Sequence, residues 1–163
     1  MNKIEEFYNF MNKIVSYEAV SVEHDSIPRD YGVDDKVYIN EARTLNLIKE
    51  NDGISTSELA ALEKKSNSAI SQKIKKLSKK GLVFVEQDKD DYKRLNIHLT
   101  KDGLNVCKKQ MELDDIFFSK IFDEIDNWES IDYNKIIRVI DVIEREKLDY
   151  IEENKKAKSI KKL

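Results

Sequence analysis

Residues 66–81 read Ser-Asn-Ser-Ala-Ile-Ser-Gln-Lys-Ile-Lys-Lys-Leu-Ser-Lys-Lys-Gly, and the other elements can be placed around them. Ser66 suits a helix N-cap, because its hydroxyl can accept from a backbone N–H left unpaired in the first turn. Gly81 suits the position just past the helix end, because glycine enters the left-handed conformation without a Cβ clash. Ala69, Ile70, Ile74 and Leu77 recur at three- and four-residue steps and predict one buried face. Ser66, Asn67, Ser68, Ser71 and Gln72 crowd small and amide side chains into the N-terminal half. Lys73, Lys75, Lys76, Lys79 and Lys80 follow. Short side chains let a helix approach base edges, amides can read them, and lysines meet phosphates. The same pattern also suits a merely solvated helix, so the flanking sequence has to decide.

Upstream stands Ser55-Thr56-Ser57-Glu58, a capping box in which Ser55 and Glu58 satisfy each other's orphan groups. It predicts a short helix with Leu59, Ala60 and Leu62 inside, joined to the Ser66 helix through Lys64 and Lys65. Two short helices across a tight turn, the second polar and basic, make a helix-turn-helix. Before them a helix is expected over 40–51, with Asn40 as N-cap and Ala42, Leu45 and Ile48 on one face. Downstream of Gly81 the period switches from 3.6 to 2: Leu82-Val83-Phe84-Val85, then Leu95, Ile97 and Leu99 alternating with Asn96 and His98. The charged segment between them, Gln87 to Arg94, is the tip of a hairpin. A hairpin directly after such a helix is a wing, whose Lys89, Lys93 and Arg94 can reach a minor groove or phosphates.

The outer parts of the chain are helical too. Residues 1–20 carry Ile4, Phe7, Met11, Ile14 and Val15 on one stripe, while Pro28, Gly32 and Asp34–Asp35 break any period over 21–39. Thr100 caps a helix expected to reach about Asn127, and a last one runs from about Tyr133 to about Glu153. The expected fold is mainly α with a small β-wing. Residues 1–39 form an N-terminal dimerisation helix and acidic loop, and 40–100 the winged helix-turn-helix. Residues 101–154 form C-terminal dimerisation helices, and 155–163 a basic tail. The terminal helices hold more apolar surface than one domain needs, which predicts a homodimer.

Composition fits a partner that is met locally. The 163 residues are 37% charged and 40% hydrophobic, with a net charge of −3. Within 63–80, however, seven lysines face Glu63 alone. A Debye length of about 8 Å lets such a patch act while distant acidic surface is screened. No apolar run has the length of a membrane span, the N-terminus lacks the pattern of a signal peptide, and one cysteine forms no internal disulfide. A cytoplasmic chain is expected, with no membrane partner. No nucleophile elbow, phosphate loop, dinucleotide fingerprint or metal motif is present, so the expectation is a non-enzyme without cofactor. His24 and His98 stand too far apart to suggest a zinc site. Cys107, followed by Lys108 and Lys109, is a redox-sensor candidate set against a small core residue.

This order of parts resembles the MarR family of homodimeric winged-helix transcription regulators. The resemblance covers nearly the whole chain and is strongest over 41–103. It rests on Ile70-Ser71 followed by Lys76-Leu77-Ser78-Lys79-Lys80-Gly81-Leu82-Val83, on the charged wing, and on Leu99-Thr100-Lys101-Asp102-Gly103 opening the next helix. Two departures stand out. Where the family's wing has Asp-x-Arg, this chain has Asp91-Tyr92-Lys93 with arginine only at Arg94, and Arg and Lys are not interchangeable in a narrow groove. In the turn between the motif helices, Lys64 replaces the usual glycine and Lys65 the usual apolar residue.

The resemblance implies that Asn67, Ser68, Ala69, Ser71, Gln72 and Lys73 face double-stranded DNA. Gln72 and Asn67 suit adenine and Ala69 a thymine methyl, and no arginine lies on the helix to read guanine, so A/T-rich operators are expected. Lys73, Lys75 and Lys76 suit phosphates, as do the backbone N–H groups at Ser55, Thr56 and Ser57. A two-fold dimer expects a near-palindromic operator. The resemblance also implies a small-molecule effector lodged between the dimer helices and the DNA lobe, with Tyr17 and Arg43 as candidate lining. Repression is the expected output, since occluding a promoter requires only binding. The rival reading is a winged-helix protein–protein module that has lost DNA binding and works through its acidic surface.

Overall fold

The computed structural model describes residues 2–89, 94–125 and 127–160. The chain divides into two units, Met1–Phe117 and Phe118–Leu163. In chain order it forms α1 (Lys3–Asp25), α2 (Ile39–Glu50), α3 (Thr56–Leu62), α4 (Asn67–Lys79), β1 (Val83–Gln87), β2 (Leu95–Leu99), α5 (Lys101–Glu124), a 3-10 turn (Trp128–Ser130) and α6 (Tyr133–Ile160). The mainly helical fold with one antiparallel hairpin is the expected winged helix-turn-helix with flanking helices. Among the described residues no helix is long and apolar enough to cross a membrane.

Several boundaries differ from those read off the sequence. α1 extends past residue 20 to Asp25. It opens on Asn2, which accepts from the Ile4 N–H at 2.6 Å, while Glu5 accepts from the Asn2 N–H at 3.0 Å. It closes where the Ser26 hydroxyl donates to the Glu23 carbonyl at 2.6 Å. α2 starts before Asn40: Tyr38 is its N-cap, and Glu41 accepts from the Tyr38 N–H at 3.0 Å. Asn40 is inside the helix and accepts from Arg43 instead. α6 continues through Ile160, beyond the expected end near Glu153.

The core lies in the first unit. Leu45 and Ile48 of α2, Leu59 of α3, Ile70 and Leu77 of α4, Leu82, Ile97 of β2 and Val106 and Cys107 of α5 are all fully buried. Burial of one such aliphatic side chain stabilises by about 1.5–3 kcal/mol, so this cluster, rather than helix propensity, holds three short helices and the start of α5 in place. Tyr31 and Val37 close it from the segment before α2, where Arg29 and Val37 form an antiparallel bridge. The Tyr31 hydroxyl donates to Gln110 at 2.5 Å, joining that segment to α5.

The wing is fixed at its base. Its register pairs Val83 with Leu99 and Gln87 with Leu95. Ile97 donates to the Ile54 carbonyl at 3.0 Å and accepts from Gly53 at 3.1 Å, so the hairpin is stitched to the loop before α3. α4 ends in a Schellman arrangement: Gly81, at φ +68°, donates to Ser78 at 3.0 Å and Leu82 donates to Leu77 at 3.0 Å. Thr100 then ties α5 to that corner. Its hydroxyl donates to the Gly81 carbonyl at 2.6 Å and accepts from the Gly103 N–H at 3.1 Å. A Cβ on Gly103 would sit 2.1 Å from the Leu82 carbonyl oxygen. The Leu-Thr-x-x-Gly pattern is therefore a packing requirement, with the threonine as bracket and the glycine as close approach.

Candidate nucleic-acid interface

Ile70, Ile74 and Leu77 turn inward and leave the other faces of α4 to solvent. Ser66 caps the helix by accepting from the Ala69 N–H at 3.2 Å. Asn67, Ser68, Ala69, Ser71, Gln72 and Lys75 are all exposed. Ser55 caps α3 in the same way, accepting from the Glu58 N–H at 3.3 Å, while Glu58 accepts from the Ser55 N–H at 2.8 Å. The starts of α3 and α4 face one another beside the base of the wing. Ser55, Thr56, Ser57, Asn67, Ser71, Arg94 and Leu95 line one open depression. Six of those seven residues were picked out from the sequence as candidates, and the fold gathers them from three separate stretches.

The wing residues divide. Arg94, just before β2, is held by a two-pronged contact with Glu58, at 2.9 and 3.3 Å, and by Asn96, which accepts from Nε at 3.0 Å. Asn96 in turn donates to Asp88 at 2.8 Å. Arg94 thus points its guanidinium at the start of α3, where it borders the depression. Hydrogen bonds from the Ser55 hydroxyl and backbone, helped by Arg94, hold the Glu58 carboxyl below its ordinary value. Lys89 is exposed. Lys93, together with the Asp91-Tyr92 pair of the tip, lies outside the described residues.

The lysines also divide, and sequence alone did not separate them. Lys75 and Lys79 are exposed and have no partner among the described residues. Lys76 is exposed but sits 3.4 Å from Glu41 and 5.6 Å from the centre of the Tyr38 ring. Lys80 is turned inward, 2.7 Å from Glu41 and 2.6 Å from the Lys36 carbonyl. Lys73 does not stand in the groove-facing row expected of it. Its ammonium is 18% exposed and donates to Glu63 at 2.5 Å and to the Thr44 hydroxyl at 2.9 Å. The periodicity explains this: Lys73 adjoins Ile74 and Ile70 on the helix surface and lies at the edge of the buried face.

Glu41 and Glu63, which carry these lysines, were not singled out from the sequence. Both carboxylates are 8% exposed. Burial pushes each upward, yet their donors win, and both stay below the ordinary value. For Glu41 the donors are Lys80 and the Tyr38 N–H; for Glu63 they are Lys73, Thr44 and Lys65. For Lys73, burial outweighs the attraction of Glu63, and its value falls. The available signal was the solitary acid among seven lysines at 63–80. Lys64, next to it, has φ +52°, the left-handed conformation that a glycine would adopt without strain. The lysine at this position thus holds a backbone conformation that favours glycine.

Cys107 is fully buried, and burial pushes its thiol up to about 11. A thiol that stays protonated at neutral pH is a poor redox sensor, so the small-core-residue reading holds. Arg43 donates to Asp25 at 3.0 Å, and Tyr17 is exposed on α1.

Residues 37–95 match the model of the MarR family. Among solved structures, the chain is similar to BldR of Sulfolobus solfataricus, a transcriptional regulator, at 23% identity and a TM-score of 0.63, covering 89% of this chain and 99% of that one. It is also similar to MepR of S. aureus in a DNA complex, at 18% identity and a TM-score of 0.61, covering 86% and 97%. A third likeness is to FabT of Streptococcus pneumoniae in complex with DNA, at 16% identity and a TM-score of 0.60, covering 93% and 99%. No curated protein sequence matches. The family match spans α2 to the start of β2, the segment that holds the depression, and the likeness to these solved structures is one of fold that extends over nearly the whole chain.

Proposed function

We propose that the chain is a cytoplasmic, homodimeric repressor that binds a near-palindromic, A/T-rich operator through α4 and releases it on binding a small effector. The observation that carries the reading is the outward row of Asn67, Ser68, Ala69, Ser71, Gln72 and Lys75 beside Ser55, Thr56, Ser57 and Arg94. Small side chains, amides and hydroxyls at the leading end of a helix suit base edges, and the cations around them suit phosphates. The fold relatives FabT and MepR were solved with DNA, which supports the same partner here.

The dimer is supported by unused apolar surface. α1 buries none of its residues, with Ile4 and Phe7 both exposed. In the second unit Ile136, Ile137 and Ile140 of α6 are exposed, together with Val139 and Val142. Surface of this kind marks a protein interface.

Fluorescence anisotropy of the purified chain tests the reading. It is titrated onto its own upstream region and onto scrambled duplex of equal composition, at several salt concentrations. Tight, salt-steep binding that prefers the upstream region is expected, and Lys75→Ala should lower the salt slope by about 1. No binding to either duplex at low salt would overturn the DNA reading and leave the protein–protein module.

A further inference from the structure

We propose that Glu63 is the positioning residue of α4: it gathers Lys73, Thr44 and Lys65 at the turn between α3 and α4 and so sets how the reading helix is presented, while Lys73 serves this clamp instead of a phosphate. The proposal rests on the DNA reading of α4 and adds to it a residue that touches no DNA.

The geometry supports a clamp. Glu63 is the C-cap of α3, so its backbone belongs to one motif helix. Its carboxylate binds the other, through Lys73 of α4, two turns into that helix. The Thr44 hydroxyl donates to Glu63 at 2.6 Å, accepts from Lys73 at 2.9 Å, and brings in α2. Lys65, inside the turn, adds a contact at 3.1 Å. Three groups, from α2, α4 and the turn, thus meet on one buried carboxylate at the end of α3. They span a turn that carries a lysine at positive φ, a conformation that disfavours a residue with a Cβ. The ammonium of Lys73 is not free for a phosphate while it fills this site, because leaving it would take the nearest cation from a buried carboxylate.

Two measurements on the full-length chain test this. The first needs no DNA. Amide hydrogen exchange is compared in the wild type, Glu63→Gln, Lys73→Met and Lys73→Arg. Coupled charge networks carry enough energy that exchange in the first turns of α4, Ala69 to Lys73, should speed about tenfold in Glu63→Gln and Lys73→Met. Amides of Leu45 and Ile48 should be unchanged, and Lys73→Arg should restore protection. Uniform speeding across the lobe would mean general loss of stability, and no change at α4 would mean no clamp; either overturns the proposal. The second uses a mixed-sequence duplex and the chain's own upstream duplex. Lys73→Met should keep the wild-type salt slope and lose preference for the upstream duplex about tenfold. A slope lowered by about 1 with preference intact would make Lys73 a phosphate contact and overturn the proposal. If the wild type bound neither duplex, the DNA reading alone would fail, and the exchange result would still decide whether the clamp exists.

Discussion

Glu41 and Glu63 tie the recognition lobe to acid pH. Each carboxyl lies below its ordinary value of 4.5 because lysine, hydroxyl or backbone donors outweigh the burial that pushes it up. A carboxyl depressed in the folded state stabilises fully above its unfolded value, and that contribution is lost as pH falls through the folded value. Thermal melts across the acid range should therefore show the wild-type midpoint falling below about pH 4.5, with Glu41→Gln and Glu63→Gln less stable near neutrality and flatter on the acid side. Equal acid slopes in all three proteins would contradict the pairing. Neither residue was legible from the sequence. An acid near lysines reads as solvated surface until tertiary packing buries it, and burial here depends on α2 lying across α4. Lys73 was misplaced for the same reason: helical phase put it near the buried edge, but only the position of Glu63 decided which way its long stem turned.

Helices and hairpin were largely legible, because their signals are local. The Ser55–Glu58 box, Ser66 and Gly81 each mark a helix end by satisfying a backbone group, and each does so in the structure. The start of α2 was missed because Asn40 offered a side-chain cap, whereas Tyr38 begins the helix with Glu41 returning to its N–H. The ends of α1 and α6 were set too short, since charged residues there carry no stop signal. At the junction of wing and α5 the fold makes a sharp demand. Gly103 has no room for a side chain against the Leu82 carbonyl, so Gly103→Ala must shift α5 away from the wing base. Overpacking of this kind costs about 1–3 kcal/mol, readable as a lower urea midpoint at unchanged m-value. A variant as stable as the wild type would show that α5 is not pinned there.

For the whole molecule, the apolar stripes of α1 and α6 matter more than any single contact. Ile4, Phe7, Ile136 and Ile140 remain exposed in the chain by itself, and a stable two-fold interface of about 1,200–2,000 Å² would cover such surface. Sedimentation velocity over a range of concentrations should give a dimer throughout the micromolar range, and Ile136→Asp with Ile140→Asp should give a monomer. A wild-type chain that sediments as a monomer at every concentration would remove the basis for paired half-sites. Net charge carried less information at this scale than its distribution. A total of −3 would argue against nucleic acid, yet Lys75 and Lys79 present local positive charge that distant acids do not cancel at physiological screening.

The central claim is that two copies of α4 read DNA in successive major grooves. Selection from a pool of random duplexes with the purified full-length chain, followed by sequencing of the bound fraction, tests it most directly. Enrichment of an A/T-rich near-palindrome is expected, with half-sites about 10 base pairs apart, centre to centre, and Gln72→Ala should abolish it. A bound fraction no different from the starting pool would contradict it.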